Sequence, residues 1–211
     1  MASVIGKSSG DGMAINRVGT SFAKNSTFDK NFDYVIVQNG KIVGSTGGYR
    51  VSAERATLNK KCFPELKTPF LGAVKADVYA MKRFIQLTPR IDHLDIKGEF
   101  PKGVGLYSRT EVIAHFRVSL SVSDATTVYR KLIEMPGGTS YPEAALKGVF
   151  RDIATDAIDK MIKNMTTRPS RIVINTFTND GSTDAKFFED FKKVMAENFK
   201  LLGYTVSIVK C

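Results

Sequence analysis

The strongest constraint on the fold is the alternation of apolar and polar side chains over residues 111–122. One face of this segment carries six apolar residues, and the other carries mainly charged residues, histidine and serine, with Ile113 as the exception. A period of two with one apolar face is typical of a strand that buries one side against a core. A chain with such a strand must supply other apolar elements to cover that side.

Two later segments have the period of amphipathic helices. Residues 142–165 place apolar side chains three and four positions apart, and Pro142 suits the first helical turn. Residues 184–202 repeat this pattern, and Gly203 is typical of the position that follows a helix. We therefore expect two long helices, each with one apolar stripe directed to a core.

Strand signals fill much of the remaining sequence. Residues 32–43 predict a hairpin, because Asn39 and Gly40 tolerate the positive φ angles of a type I′ turn. Further strands are predicted at 74–87, 94–96, 172–177 and 204–209. Ser123 or Asp124 can cap a short helix. The sequence predicts an α+β fold. Its first half is mostly β with the hairpin at 32–43, followed by a strand, two long amphipathic helices and two further strands packed on a mixed sheet.

The domain prediction is a flexible N-terminal arm over residues 1–30 and a single α+β domain over residues 31–211. The arm is rich in Ser and Gly and lacks a hydrophobic period. The sequence has no run of about 18 apolar residues, so no membrane helix is predicted. Residues 1–22 lack the apolar core of a secretory signal. Two cysteines, Cys62 and Cys211, cannot form a disulfide framework. We therefore expect a cytoplasmic or other intracellular assembly.

Net charge is the one unusual bulk property. The chain has 31 Lys and Arg against 21 Asp and Glu, a formal net charge of +10. Residues 1–110 carry 17 basic and 9 acidic side chains, whereas residues 111–211 carry 14 and 12. A positive field of this kind attracts nucleic acid, anionic lipid headgroups or an acidic protein, although a basic surface can also be inert.

Basic and aromatic residues alternate at two places in the more positive half. Tyr49 precedes Arg50, and Phe84 follows Lys82 and Arg83, as in a groove that stacks bases beside phosphates. The candidate contacts with nucleic acid or an anionic membrane surface are Arg50, Lys60, Lys61, Lys82 and Arg83.

No motif in the sequence selects a reaction class. It has no GxxxxGK[ST] phosphate loop, no HExxH, no GxSxG and no paired-cysteine zinc spacing. His93 and His115 lie on different predicted elements, and Cys62, although flanked by lysines, is interpreted as an ordinary packed thiol. We therefore predict no enzymatic activity, no cofactor and no small-molecule substrate.

Asp180, Ser182 and Asp184 are spaced like cation ligands. The pattern resembles the metal-ion-dependent adhesion motif of von Willebrand A domains, in which carboxylate and hydroxyl oxygens hold a divalent cation. The same residues suit a turn followed by a helix cap, and that interpretation is preferred because Asp-Gly turns and Asp, Ser or Thr caps are common. No metal site is predicted.

A family resemblance covers residues 70–209, about two thirds of the chain. Pro69-Phe70-Leu71 before a strand resembles the strand entry of the SPFH domain, which stomatins, prohibitins and flotillins share. Further similar segments are Leu94-Asp95-Ile96, the strand ending at Ser123-Asp124-Ala125, the helix with Phe150-Arg151-Asp152-Ile153, and the closing helix, glycine and strand over 188–208. The resemblance implies a non-enzymatic scaffold that self-associates through its edges, often at a membrane surface.

The expected function is that of a non-enzymatic, self-assembling structural or scaffold protein that forms a homo-oligomer. Strand edges pair readily with other chains, and the hairpin supplies the expected oligomer contacts Val35, Val37 and Ile42. The alternative is a basic nucleic-acid-associated protein of the virion or nucleoid type. The third interpretation is an enzyme whose active-site residues are distant in the sequence and come together only in the folded protein.

Overall fold

A computed structural model describes residues 4–6, 12–47, 56–97, 109–163 and 185–210. The described elements, in chain order, are β1 (Val4–Ile5), β2 (Met13–Phe22), β3 (Thr27–Phe28), β4 (Phe32–Gln38), β5 (Lys41–Ser45), β6 (Val74–Lys82), β7 (Phe84–Leu87), β8 (Arg90–Lys97), β9 (Arg109–Val122), α1 (Ala125–Tyr129) with a π-helical turn (Arg130–Glu134), β10 (Ser140–Pro142), α2 (Glu143–Lys163), α3 (Ala185–Leu201) and β11 (Tyr204–Lys210). The predicted α+β class is confirmed. The strand expected at 172–177 lies outside the described residues.

The strands form a two-stranded, a five-stranded and a four-stranded sheet among the described residues. The five-stranded sheet has the order β10-β2-β6-β4-β5, and its pairs are antiparallel. Asn39 and Gly40 join β4 to β5 with φ angles of 53° and 71°. Positive φ at both positions confirms the predicted type I′ hairpin.

The N-terminal region differs from the prediction of a flexible arm over residues 1–30. Residues 13–22 form the ten-residue strand β2, which lies between β10 and β6 in the five-stranded sheet. Ala14 and Ile15 are buried there. The pairing with β6 shifts register between Arg17 and Gly19 and again between Gly19 and Ser21. Because each shift reverses the faces of the strand, no period of two is visible in this segment of the sequence.

By its contacts the chain divides into two compact units, where the sequence analysis expects a single domain over 31–211. Unit 1 comprises Met1–Ile85, Leu120–Ala144 and Lys200–Thr205, and unit 2 comprises Gln86–Ser119, Ala145–Phe199 and Val206–Cys211. Each unit is therefore assembled from segments that are distant in the sequence.

Unit 1 has an apolar core with Tyr34 at a central position. The buried members of this core are Ile5, Phe28, Tyr34, Ile36, Ala56, Leu58, Phe63, Leu66, Val74, Ala76, Val78 and Ala80. The Tyr34 hydroxyl donates to the Ile5 carbonyl at 2.9 Å and accepts from the Asp29 amide at 3.1 Å. Burial raises the pKa of Tyr34 above its ordinary value, so this hydroxyl stays protonated and remains a donor.

Unit 2 is organised around the long strand β9 and the helices α2 and α3. Along β9 the side chains of Ala114, Phe116 and Val118 are buried, whereas those of Ile113 and His115 are exposed, so the predicted alternation is confirmed. Ring contacts join the strand to the helices: Phe116 lies 5.5 Å from Phe150 on α2 and 5.8 Å from Phe191 on α3, and Phe150 lies 6.2 Å from Phe199.

We expect the Tyr204→Phe variant to match or exceed the stability of the unaltered protein. Tyr204 is 1% exposed, and among the described residues its hydroxyl has no hydrogen-bond partner. Removing a buried, unpaired hydroxyl relieves a desolvation cost, so the free energy of unfolding in urea should fall by less than about 0.5 kcal/mol or should rise.

The matched control is Tyr34→Phe, which leaves the Ile5 carbonyl and the Asp29 amide without this hydroxyl. It should lower the free energy of unfolding by about 1–3 kcal/mol. A loss of that size in Tyr204→Phe would contradict the prediction.

Candidate functional site

The candidate site is built on β5, the edge strand of the five-stranded sheet. Gln38 and Lys41 flank the two-residue turn, and Ile42 lies opposite Val37 as the next pair. The residues that flank such a turn exchange backbone hydrogen bonds, and the next pair directs its N–H and C=O groups outward. The backbone groups of Ile42 therefore point away from β4, toward the side of β5 on which no other described strand pairs.

A groove of about 540 Å³ is lined on one side by β5 and its continuation. Its lining residues all belong to unit 1 and come from three segments: Ile42, Val43, Gly44, Ser45, Thr46 and Gly47 from β5 and its continuation, Glu65, and Ser123, Asp124, Ala125, Thr126, Thr127 and Arg130 from the start of α1 and beyond. The groove thus has a strand edge as one wall and the first turn of a helix as the other.

The helical wall is held by its own hydrogen bonds. The Asp124 carboxylate caps α1 by accepting from the Thr126 amide at 3.0 Å and from the Thr127 hydroxyl at 2.6 Å. The Ser123 hydroxyl donates to the Gly203 carbonyl at 2.9 Å. Because these side chains have partners within unit 1, the wall is ordered before any ligand enters.

Two glycines fix the path of β5 and its continuation. A Cβ at Gly44 would lie 2.3 Å from Cδ1 of Phe63, so the Phe63 ring packs directly on the backbone. Gly47 has φ +93°, and a Cβ there would lie 2.5 Å from Oδ1 of Asp33. Larger side chains are therefore excluded at both positions.

The predicted oligomer contacts are only partly accessible. Val35 is fully buried and Val37 is 6% exposed, because β4 is an inner strand that pairs with both β5 and β6. The expectation that their side chains contact another copy is therefore wrong. Ile42, the third predicted contact, is half-buried and lines the groove.

Two of the predicted basic contacts form ion pairs within unit 1. Lys82 Nζ lies 2.6 Å from Glu143 Oε1, and Arg83 Nη2 lies 3.2 Å from Asp33 Oδ1. Burial raises the pKa of Asp33, and the Arg83 guanidinium opposes that rise. Both cations are thus compensated by carboxylates within unit 1.

A second concavity, of about 530 Å³, contains these two cations. It is lined by Lys30, Asn31, Phe32, Lys82, Arg83 and Phe84. Lys60 and Lys61 are exposed but are not among its lining residues, and Arg50 lies outside the described residues. This concavity therefore brings together Lys82, Arg83 and Phe84, with Lys30 and Asn31 as neighbours that the sequence pattern missed.

The other candidate chemical groups stay apart. His115 is exposed on β9, and Cys62 is a free, half-buried thiol whose sulfur accepts from the Thr57 amide at 3.5 Å. Asp180, Ser182, Asp184, Cys211 and the side chain of His93 lie outside the described residues. Within the described ranges, no group of three or more His, Cys, Asp or Glu could hold a metal ion. No helix in those ranges combines the length and apolar character needed to cross a bilayer.

Comparison with protein-family models, with curated proteins and with solved structures finds no match for this chain. The resemblance to SPFH domains therefore stays a prediction from the sequence.

Proposed function

We propose that this chain is a non-enzymatic structural protein whose copies join by β-strand addition at β5. One observation carries the proposal: β5 pairs on one side only among the described strands, the backbone groups of Ile42 point away from β4, and Ile42 lines a groove of about 540 Å³. An extended segment that enters such a groove gains main-chain hydrogen bonds from the strand edge. The product would be a homo-oligomer.

The shape of the groove favours one extended segment of a second copy over a second sheet edge. The groove is bounded by the start of α1 as well as by β5, which leaves less room for a whole sheet than for one segment. A chain that donates one segment to a neighbour and accepts a segment from another uses two different surfaces. The contact between copies is therefore heterologous. Such contacts build rings or open filaments instead of closed two-fold dimers.

The test is the mass in solution of Ile42→Pro and Ile42→Lys, compared with the unaltered chain. Proline removes an outward N–H while leaving the hydrogen bonds to β4, and lysine places a charge at the strand edge. We expect assemblies of the unaltered chain at high salt in light scattering, and at least about tenfold weaker association in both variants.

Ile113→Lys is the matched control, because Ile113 is 48% exposed on β9 and does not line the groove. It should leave the assembly unchanged. The proposal would be refuted if the unaltered chain stayed monomeric at high concentration. It would also be refuted if the Ile42 and Ile113 variants associated equally well.

A nucleic-acid-associated protein is the second candidate. The net charge of +10 supports it, and so does the exposed ring of Phe84 beside Lys30 in the second concavity. The ion pairs of Lys82 and Arg83 count against it, because compensated cations attract phosphate less. A monomer that gains mass only with added RNA or DNA at low salt would favour this candidate over self-assembly.

We place the assembly inside the cell as part of the same proposal. The chain has two cysteines, and Cys62 is a free thiol that packs against Thr57. A free thiol of this kind is typical of proteins in reducing compartments.

A further inference from the structure

The segment that connects Leu66 to β6 carries two adjacent apolar side chains in solvent. Phe70 is 94% exposed and Leu71 is 81% exposed, more than any other large apolar residue among those described. Neither residue lines the β5 groove or the second concavity. We call this pair the Phe70–Leu71 tip.

The exposure of the tip is built into the fold, because hydrogen bonds hold the segment at both ends. The Gln38 side chain donates to the carbonyls of Lys67 at 3.0 Å and Lys75 at 2.8 Å, and it accepts from the Lys67 amide at 2.8 Å. Lys24 Nζ donates to the Phe70 carbonyl at 2.6 Å. The tip is therefore presented on a fixed backbone, and its docking would cost little ordering entropy.

Three exposed lysines belong to the tip segment or bind to it. Lys24, Lys67 and Lys75 are exposed, and the hydrogen bonds above place their backbones or ammonium groups next to the tip segment. Glu65 is the acidic residue closest to the segment in the sequence, so positive charge dominates. Two exposed apolar side chains thus share this part of the surface with three exposed lysines.

We propose that the Phe70–Leu71 tip docks unit 1 on an anionic lipid bilayer. The two apolar side chains would enter the boundary between headgroups and acyl chains, while the lysine ammonium groups stay at the level of the phosphates. A convex wedge of two residues suits a fluid surface that closes around it. A protein partner would need a complementary face of about 800 Å² on each side, with its aromatic anchors in pockets.

The three lysines select an anionic surface over a neutral one. Each cation near an anionic leaflet strengthens binding by about fivefold, and this attraction weakens as salt increases. The apolar pair supplies a second contribution that is independent of salt. Two weak signals of different kind give the stable but reversible attachment of a peripheral protein.

The test is sedimentation with vesicles of phosphatidylcholine alone and of phosphatidylcholine with phosphatidylserine, at low and high salt. The unaltered chain should bind only the vesicles with phosphatidylserine. Phe70→Ser with Leu71→Ser should weaken that binding by more than about 100-fold. Lys24→Gln, Lys67→Gln and Lys75→Gln together should weaken it by about 100-fold and remove most of the salt dependence.

The matched control is Met135→Ser, because Met135 is 72% exposed in unit 1 but belongs neither to the tip nor to either concavity. It should bind like the unaltered chain. The same measurements on Ile42→Pro separate this proposal from strand addition, because a variant that cannot assemble should still bind vesicles.

Three results would overturn the proposal. The unaltered chain could fail to bind phosphatidylserine vesicles at low salt, or it could bind neutral vesicles equally well. The tip variant could bind as tightly as the Met135 variant, with an unchanged urea midpoint to show that it is folded. Loss of RNA retention in the tip variant, without any vesicle binding by the unaltered chain, would assign the surface to nucleic acid instead.

Discussion

Replacing Arg83 by methionine should lower the free energy of unfolding by about 3–5 kcal/mol at neutral pH, because it leaves a buried carboxylate without its counter-ion. The Asp33 side chain is 3% exposed, and its Oδ1 lies 3.2 Å from Arg83 Nη2. The neighbouring variant Lys82→Met is the control. Its ion pair with Glu143 is more exposed, so its loss should cost less than about 1 kcal/mol.

The cost of Arg83→Met should also depend on pH. The pKa of Asp33 is already raised by burial, and without the opposing guanidinium it should rise further. A carboxyl whose pKa is higher in the folded state binds a proton more tightly there. Its contribution to stability is therefore lost as pH rises from the unfolded to the folded pKa. The deficit should be largest at neutral pH and should shrink toward about pH 4.

Urea unfolding of Arg83→Met at several pH values measures this deficit. The double variant with Asp33→Asn should recover most of the stability at neutral pH, because no buried charge remains. A deficit that is the same at pH 4 and pH 7, or no recovery in the double variant, would contradict the assigned role of Asp33.

In unit 2 the largest expected effect is that of Phe150→Ala. Phe150 is fully buried, with ring centroids 5.5 Å from Phe116 and 6.2 Å from Phe199. Truncation removes these contacts and leaves a cavity, which should lower the free energy of unfolding by about 3–5 kcal/mol.

Phe188→Ala is the matched control on α3. Phe188 is half-buried, 6.1 Å from Phe191, with Lys192 Nζ 5.3 Å from the centre of its ring. Less area is withdrawn from water there, so the loss should be about 1–2 kcal/mol. Urea unfolding of both variants gives the comparison, and equal losses would contradict the central position of Phe150.

The elements that could be predicted are those whose burial follows a simple local period. The alternation along β9 predicts which of its side chains are buried, and the stripes of α2 and α3 predict their inner faces. The Asn39-Gly40 turn likewise needs only two residues to specify it. In each case neighbouring positions carry all the information.

The rest depends on pairing between distant residues. The ion pairs of Lys82 and Arg83 join residues that are 61 and 50 positions apart, so the sequence pattern could not indicate that their charges are compensated. Val35 and Val37 are buried because β6, a distant segment, covers the second edge of β4. The groove escapes prediction for the same reason, since its two walls come from residues 42–47 and 123–130.

Gly203 connects the helical wall of the groove to the order in which the protein is made. Its carbonyl accepts from the amides of Ser123 and Asp124 and from the Ser123 hydroxyl, a residue 80 positions earlier in the chain. A ribosome that has just added residue 123 must add 80 more residues before Gly203 is present to anchor the wall. If copies join as proposed, partially synthesised chains on one polysome present incomplete acceptors. Subunit joining is thereby delayed until translation has passed residue 203.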